Sequence, residues 1–239
     1  MPRTNPADTT SSLLRHATPL RNRLRAQRAR WAWWWMSRRH DRLKRALDLL
    51  LVIPALVLLA PLFLVVALAI RAHDGGPVLY WQRRVGRDGR VFAFPKFRSM
   101  RTDADAVRQQ LLAANQHGAD GVTFKMKRDP RITPVGRLIR RTSIDELPQL
   151  WCVLRGDMSL VGPRPPLPAE VERYTLADRQ RLSVTPGLTC IWQVSGRSEV
   201  PFPQQVQMDL DYIRRPGLAN DLRLLAKTLP AVIRGRGAY

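Results

Sequence analysis

The sequence predicts an α+β protein, mostly helical with a small β-hairpin. It is expected to be a monotopic membrane protein, with a re-entrant helix-break-helix in the bilayer and a folded domain on the cytoplasmic side. Three observations carry that prediction. The stretch 49–70, LLLVIPALVLLAPLFLVVALAI, holds no charged or strongly polar residue. Arginine and lysine crowd both of its flanks. Downstream, two short β-type runs bracket a glycine-containing turn, and later apolar residues recur with helical spacing.

As a straight helix rising about 1.5 Å per residue, the apolar run is roughly 33 Å long, enough for a bilayer core of about 30 Å. A helix apolar on every face does not suit the surface of a soluble protein. Ala67-Leu68-Ala69 mimics a signal-peptidase site. The run starts too late and is too long for a signal segment, so cleavage is not expected.

Before the run come Arg21, Arg23, Arg25, Arg28, Arg30, Arg38, Arg39, Arg42, Lys44 and Arg45; after it come Arg71, Arg83, Arg84, Arg87 and Arg90. Basic flanks stay on the cytoplasmic side. A segment that enters, bends and returns satisfies both. Pro54 and Pro61 supply bends, because proline deletes a backbone donor and clashes with the preceding turn. Broken at Pro61, each half is about 15–18 Å long, which reaches the midplane. The alternative is one kinked spanning helix. Trp31, Trp33, Trp34 and Trp35 suit the head-group layer. Residues 1–20 lack periodicity and are expected to be disordered. The expected division is a basic, Trp-rich arm over 1–40, a membrane segment over 41–72, and a cytoplasmic domain over 73–239.

The whole chain has 239 residues, 45% of them hydrophobic, and a formal net charge of +21. Such a charge calls for anionic partners: nucleic acid, lipid head groups or phosphorylated substrates. The position of the Arg/Trp arm beside an apolar insert favours membrane lipids over nucleic acid. Cys152 and Cys190 form no CxxC pair and have no histidine cluster beside them, so zinc is not expected. Two free thiols fit a reducing compartment.

Val78–Trp81 and Val91–Phe94 read as strands, with Gly86-Arg87-Asp88-Gly89 as the hairpin turn. Residues 103–116 read as a helix and 117–121 as a loop. Leu147, Leu150, Trp151 and Leu154 mark an amphipathic helix. GPRPPLP (162–168) breaks the chain before another expected helix over 169–182. A last helix over 220–234 suits either the membrane surface or the domain core.

Ser143-Ile144-Asp145-Glu146-Leu147-Pro148 opens the amphipathic helix. Ser143 and Glu146 match a capping box. Asp145 as N-cap would instead put Pro148 in the tolerant first turn. Either register places both carboxylates at a helix N-terminus, where the dipole is expected to keep them ionised. Capping alone would explain them. Their surroundings suggest more: Lys125, Lys127, Arg128, Arg131, Arg137, Arg140 and Arg141 precede the pair, and Arg155 and Arg164 follow. Adjacent carboxylates in a basic field suit a metal-bound polyphosphate, one holding Mg²⁺ and the other attacking phosphorus.

The run DPRITPVGRLIRRTSIDELPQLWCVLRGDMSLVGPRPPLP (129–168) resembles the signature of the bacterial sugar transferase family, the monotopic polyprenyl-phosphate glycosyl-1-phosphate transferases. KRALDLLLVIPALVLLAPLF (44–63), GGPVLYWQRRVGRDGRVFAFPKFRSM (75–100), TPGLTCIWQVSGR (185–197) and the ending GRGAY (235–239) match further pieces in order, so the resemblance covers 42–239. It implies a bacterial inner (cytoplasmic) membrane enzyme with its catalytic domain on the cytoplasmic face. In the implied reaction Asp145 attacks the β-phosphate of a UDP-sugar and releases UMP. Undecaprenyl phosphate then takes the sugar phosphate, initiating exopolysaccharide or a related glycan. The resemblance gives Glu146 to Mg²⁺, and Lys96, Arg98, Arg140, Arg164 and Arg197 to substrate phosphates. Two departures stand out. Ala60-Pro61 replaces the family's frequent Ser-Pro at the membrane break, and Thr185 and Cys190 replace a frequent Arg and Gly around Pro-Gly-Leu-Thr. The competing class is a non-catalytic basic membrane- or nucleic-acid-binding protein, which accounts for the charge but not for the ordered motifs.

Overall fold

The structure, a computed structural model, describes residues 20–104, 129–196 and 200–234, with side chains from residue 40 onward except at 229 and 231–234. Of the expectations above, the order of 1–20, the Trp31–Trp35 side chains, nearly all of the 103–116 helix, the 117–121 loop, Lys125, Lys127, Arg128, Arg197 and the 235–239 ending lie outside the described residues. The chain divides into two compact units, Met1–Leu43 and Lys44–Tyr239.

Helix α1 runs Leu20–Asp74. It is helical straight through Pro54 and Pro61, so no gap in helical structure separates the two expected halves. Within the second unit, one stripe of α1 is buried in protein. Val52, Leu56 and Leu59 pack on Leu150, Val153, Val161 and Leu224. Phe63, Val66 and Ile70 pack on Phe97 and Ile139. Spacings of three and four put these residues on one face. The other face, with Ile53, Val57, Leu58, Leu64, Val65 and Leu68, is exposed. Only 11% of the most apolar window is buried, so this is not a soluble core helix. It is long and apolar enough to cross a membrane. The exposed side chains would each gain about 1–2 kcal/mol from an apolar surrounding, since part of each is already covered.

Polar groups tie both ends of the stripe to the same unit. Lys44 Nζ donates to Asp221 at 2.6 Å and to the Tyr212 hydroxyl at 3.0 Å. Arg45 donates to the carbonyls of Val153 and Leu154 in the last turn of a helix, adding to the Gly156 N–H that also reaches Val153. Asp48 accepts from the Leu160 backbone N–H at 3.0 Å and from Ser159 Oγ at 3.2 Å. At the far end Asp74 accepts from Arg98, and the Phe63 and Phe97 rings meet edge-on at 5.5 Å.

Strand β1 (Leu79–Val85) pairs antiparallel with β2 (Val91–Phe97), Leu79 opposite Phe97 and Val85 opposite Val91. The hairpin turn falls at the expected glycines, with Gly89 at φ +81°. β1 runs four residues past its expected end and β2 three, because charged Arg83, Arg84 and Lys96 join the ladder. Helix α2 (Pro134–Arg141) starts with Pro134 in its first turn and Thr133 accepting from the Gly136 N–H. A 3-10 turn, Ile144–Gln149, leads into α3 (Leu150–Arg155).

Strand β3 (Ser159–Val161) pairs in parallel with β4 (Gly187–Thr189), a contact not foreseen from the sequence. Gly187 is required there, since a Cβ would lie 2.0 Å from the Gly162 nitrogen. The expected 169–182 helix is instead α4 (Pro168–Glu172) followed by a 3-10 turn, Asp178–Ser183. Helices α5 (Ile191–Ser195), α6 (Phe202–Arg214) and α7 (Leu218–Arg234) complete the unit. Leu224 and Leu225 of α7 pack on the core and Leu222 is exposed, so this helix has a protein-facing side. Both cysteines are free and buried, and burial pushes the Cys152 thiol up to about 12.

Candidate active site

The site begins at a backbone reversal. Ser143 adopts a left-handed φ of 57° and its hydroxyl caps nothing, so the capping box does not form. Asp145 is not an N-cap either. Both carboxylates sit in the first turn of the 3-10 segment, and α3 waits until Pro148, which has no N–H to donate, has passed.

Strand β2 and the 162–166 loop surround this turn. Lys96 Nζ and Arg164 Nη2 each donate to Glu146 Oε1 at 2.8 Å. The neighbouring Asp145 carboxylate is buried and, among the described residues, accepts no hydrogen bond. These environments push the two acids apart. Burial raises Asp145 to about 6, partly opposed by Lys96 and by Arg140 of α2. Burial also works against Glu146, but Arg164 and Lys96 outweigh it and hold that carboxylate well below its usual range. The helix-dipole expectation therefore needs correcting for Asp145: desolvation dominates, and a short 3-10 turn supplies little dipole to offset it.

This divergence gives the two acids different chemical capacities. Glu146 has its charge already neutralised on one oxygen by two cations. Asp145 keeps its electron pairs unengaged, the property a nucleophilic carboxylate needs. Among the described residues no group of three or more His, Cys, Asp or Glu gathers to hold a metal. Mg²⁺ commonly takes one or two carboxylates and completes its shell with water and substrate phosphate. Glu146 Oε2, which receives none of the bonds from Lys96 or Arg164, fits that pattern.

The bacterial sugar transferase family profile matches residues 39–235. This chain belongs to that family. A galactosyl transferase, CpsE, of Streptococcus agalactiae is 46% identical over 196 residues, covering 82% of this chain and 43% of the relative. The exopolysaccharide production protein ExoY of Sinorhizobium fredii is 42% identical over 198 residues, covering 82% of this chain and 88% of the relative. An undecaprenyl-phosphate galactose phosphotransferase of Salmonella typhimurium is 44% identical over 207 residues, covering 85% of this chain and 43% of the relative. The chain thus spans less than half the length of some curated relatives and most of another.

In this sugar transferase family member the structure gathers Asp145, Glu146, Lys96 and Arg164, with the Arg140 charge acting on Asp145. It does not bring Arg98 to that cluster. Arg98 is buried against Asp74 at the end of α1, with Nε and Nη1 unpartnered. Pro61 lies within α1. Cys190, the residue in place of the family's frequent glycine, points its thiol at Gln193 Oε1, 3.1 Å away.

One neighbour escaped the sequence reading. Arg84 of β1 donates through Nη1 to the Pro165 carbonyl at 3.0 Å and through Nε to Gln82 at 3.0 Å. Its guanidinium stands 5.3 Å from the Phe94 ring centroid, and Lys96 Nζ stands 5.6 Å from the same ring. Burial and then Arg164 lower it to about 10. The hairpin register held the clue: residues directly opposite share a face, so Tyr80–Lys96, Gln82–Phe94 and Arg84–Phe92 line one side.

Proposed function

We propose that this protein transfers a hexose-1-phosphate from a UDP-sugar to undecaprenyl phosphate through a covalent aspartyl-phosphosugar, as a phosphoglycosyl transferase initiating exopolysaccharide or a related glycan. The observation that carries the reading is the split between the adjacent carboxylates: Asp145 buried and, among the described residues, without a hydrogen-bond donor, Glu146 held by Lys96 and Arg164. Asp145 attacks the β-phosphorus; the Asp–O–P bond forms as the bond to UMP breaks, and UMP leaves with that bridging oxygen. A phosphate oxygen of undecaprenyl phosphate then attacks the same phosphorus and expels the Asp145 carboxylate. Arg164, Arg140, Arg197 and Lys96 are the proposed phosphate contacts; Arg98, buried in its ion pair with Asp74, instead ties the hairpin to the end of α1. Glu146 would hold Mg²⁺, which when bound supplies charge neutralisation for the diphosphate. Relatives named as galactose and glucose phosphotransferases support a hexose donor.

The domain is proposed to lie on the cytoplasmic face of the bacterial inner membrane, with α1 entering and leaving the same leaflet through a bend at Pro61 rather than an unwound break. The support is mechanical. Lys44, Arg45 and Asp48 at one end and Ile70 and Asp74 at the other are all held by one folded unit. Carrying Ile70 and Asp74 across a bilayer would drag Phe97 and Arg98, and with them the hairpin that bears Lys96.

The test is UMP release from UDP-glucose or UDP-galactose by the membrane-reconstituted protein with Mg²⁺ and undecaprenyl phosphate. Asp145→Asn should lower turnover at least about 10³-fold, as loss of a nucleophile does. Turnover that survives the substitution excludes Asp145 as nucleophile.

A further inference from the structure

The transfer chemistry above leaves one buried charge unused. Four cations, Lys96, Arg164, Arg140 and Arg84, act on the two carboxylates Asp145 and Glu146. Lys96 and Arg164 are ion-paired to Glu146. Arg84 is half-buried, and the partners it has among the described residues are neutral: the Pro165 carbonyl, the Gln82 amide and the Phe94 ring. Among the described residues no carboxylate bonds to it directly: Glu170 and Glu146 act on it only through space, and Arg164, carried by the adjacent loop, is a like charge that opposes them. A guanidinium desolvated beside another, with its carboxylates only at a distance, is costly to keep. Neutral acceptors alone would hold the loop equally well with an uncharged donor.

The turn between these groups is stiff. The Val85 N–H donates to the Pro166 carbonyl at 2.9 Å, beside the Arg84 bond to Pro165, so β1 is laced to the loop at two successive residues. Phe94, fully buried, fixes Arg84 and Lys96 on one side of the hairpin. Nη2 of Arg84 makes no hydrogen bond among the described residues. The result is a preorganised donor facing the region of Glu146 and Arg164.

We propose that Arg84 is a direct phosphate-contacting residue, closing with Arg164 on the diphosphate of the nucleoside diphosphate-sugar donor. This rests on the donor reading above. In that role the bound diphosphate supplies a directly bonded anion, and Arg84 and Arg164 approach it from the hairpin and the loop respectively. The alternative role is a mechanical anchor for the Pro165 loop.

Binding and melting measurements on the full chain in nanodiscs separate the two. The probes are inorganic pyrophosphate and UDP, scored by calorimetry and by the rise in melting temperature. Arg84→Gln should weaken both probes about 10-fold or more, the usual loss for a hydrogen bond to a charged group. Its ligand-free melting temperature should match or exceed that of the wild type. Arg84→Lys, which keeps the charge and loses the fork, should fall between the two. Probe affinity unchanged in Arg84→Gln, with a lowered melting temperature, overturns the proposal in favour of the anchor. If Arg84→Gln does not fold, Arg84→Lys decides alone: weaker pyrophosphate binding upholds the proposal and equal binding overturns it. A wild type that binds neither probe sinks the donor reading itself.

Discussion

Asp145 and Asp209 are both buried aspartates raised to about 6, and in both desolvation is the first cause. Their surroundings differ completely. Asp209 of α6 is closed in an ion pair with Arg181, whose other Nη donates to the Tyr174 hydroxyl at 3.1 Å. Each charge there has its opposite. Asp145 accepts no hydrogen bond among the described residues, and the cations around it outnumber the carboxylates. Proton affinity alone does not separate a structural acid from a reactive one; the pairing does. Balanced charge holds α6 to the 178–183 turn, and the unbalanced charge around Asp145 is what the proposed anionic substrate would complete.

The sharpest way to break this comparison is to remove each carboxylate. Asp209→Ala leaves Arg181 buried and unpaired and should cost about 3–5 kcal/mol of stability by denaturant unfolding. Asp145→Asn should cost nothing, and should raise the melting temperature by a few degrees, because a desolvated charge is relieved while transfer is lost. If Asp145→Asn destabilises as Asp209→Ala does, the two regions are alike and Asp145 is a structural acid.

A second test reads pH. Asp145 must be ionised to attack, so UMP release should climb through about pH 6 and level off above it. The stability effect has the opposite sense. A carboxyl whose folded pKa is raised holds its proton longer in the folded state, so its contribution is greatest below about pH 4 and is lost as pH rises to about 6. The difference in melting temperature between wild type and Asp145→Asn should therefore widen over that window. A flat difference would contradict the desolvated environment.

The smallest effect concerns the latch on α1. Asp48→Ala strands the Leu160 N–H and the Ser159 hydroxyl, at a cost of about 1–3 kcal/mol. Turnover measured below the new melting temperature should fall by less than for any change at Asp145. A loss equal to that of Asp145→Asn would move Asp48 into the reaction.

The dyad, the apolar helix and the hairpin were legible in the sequence because each has a local signature: ordered motifs around Asp145-Glu146, an uninterrupted apolar run, and strands around Gly86–Gly89. The β3–β4 pair was not, because three-residue strands are too short to show a period and their partner lies far along the chain. The 3-10 register of 144–149 was ambiguous because Ser143, Asp145 and Pro148 favour different helix starts. Arg84 was overlooked for a different reason. One basic residue in a run of arginines looks like any other until the register puts it opposite Phe92 and beside Lys96. The separate proton affinities of adjacent acids depend on residues fifty positions before and eighteen after Glu146, which no local pattern encodes.

The central claim is that Asp145 carries the sugar phosphate between two substrates. A rapid-quench measurement with UDP-sugar and Mg²⁺ but no lipid acceptor tests it directly. A UMP burst approaching one per protein is expected, with intact mass showing one added hexose phosphate and peptide mapping placing it on the peptide containing Asp145. UMP that appears only once undecaprenyl phosphate is added, with no mass gain at any time, would contradict it and point to direct transfer between the two substrates.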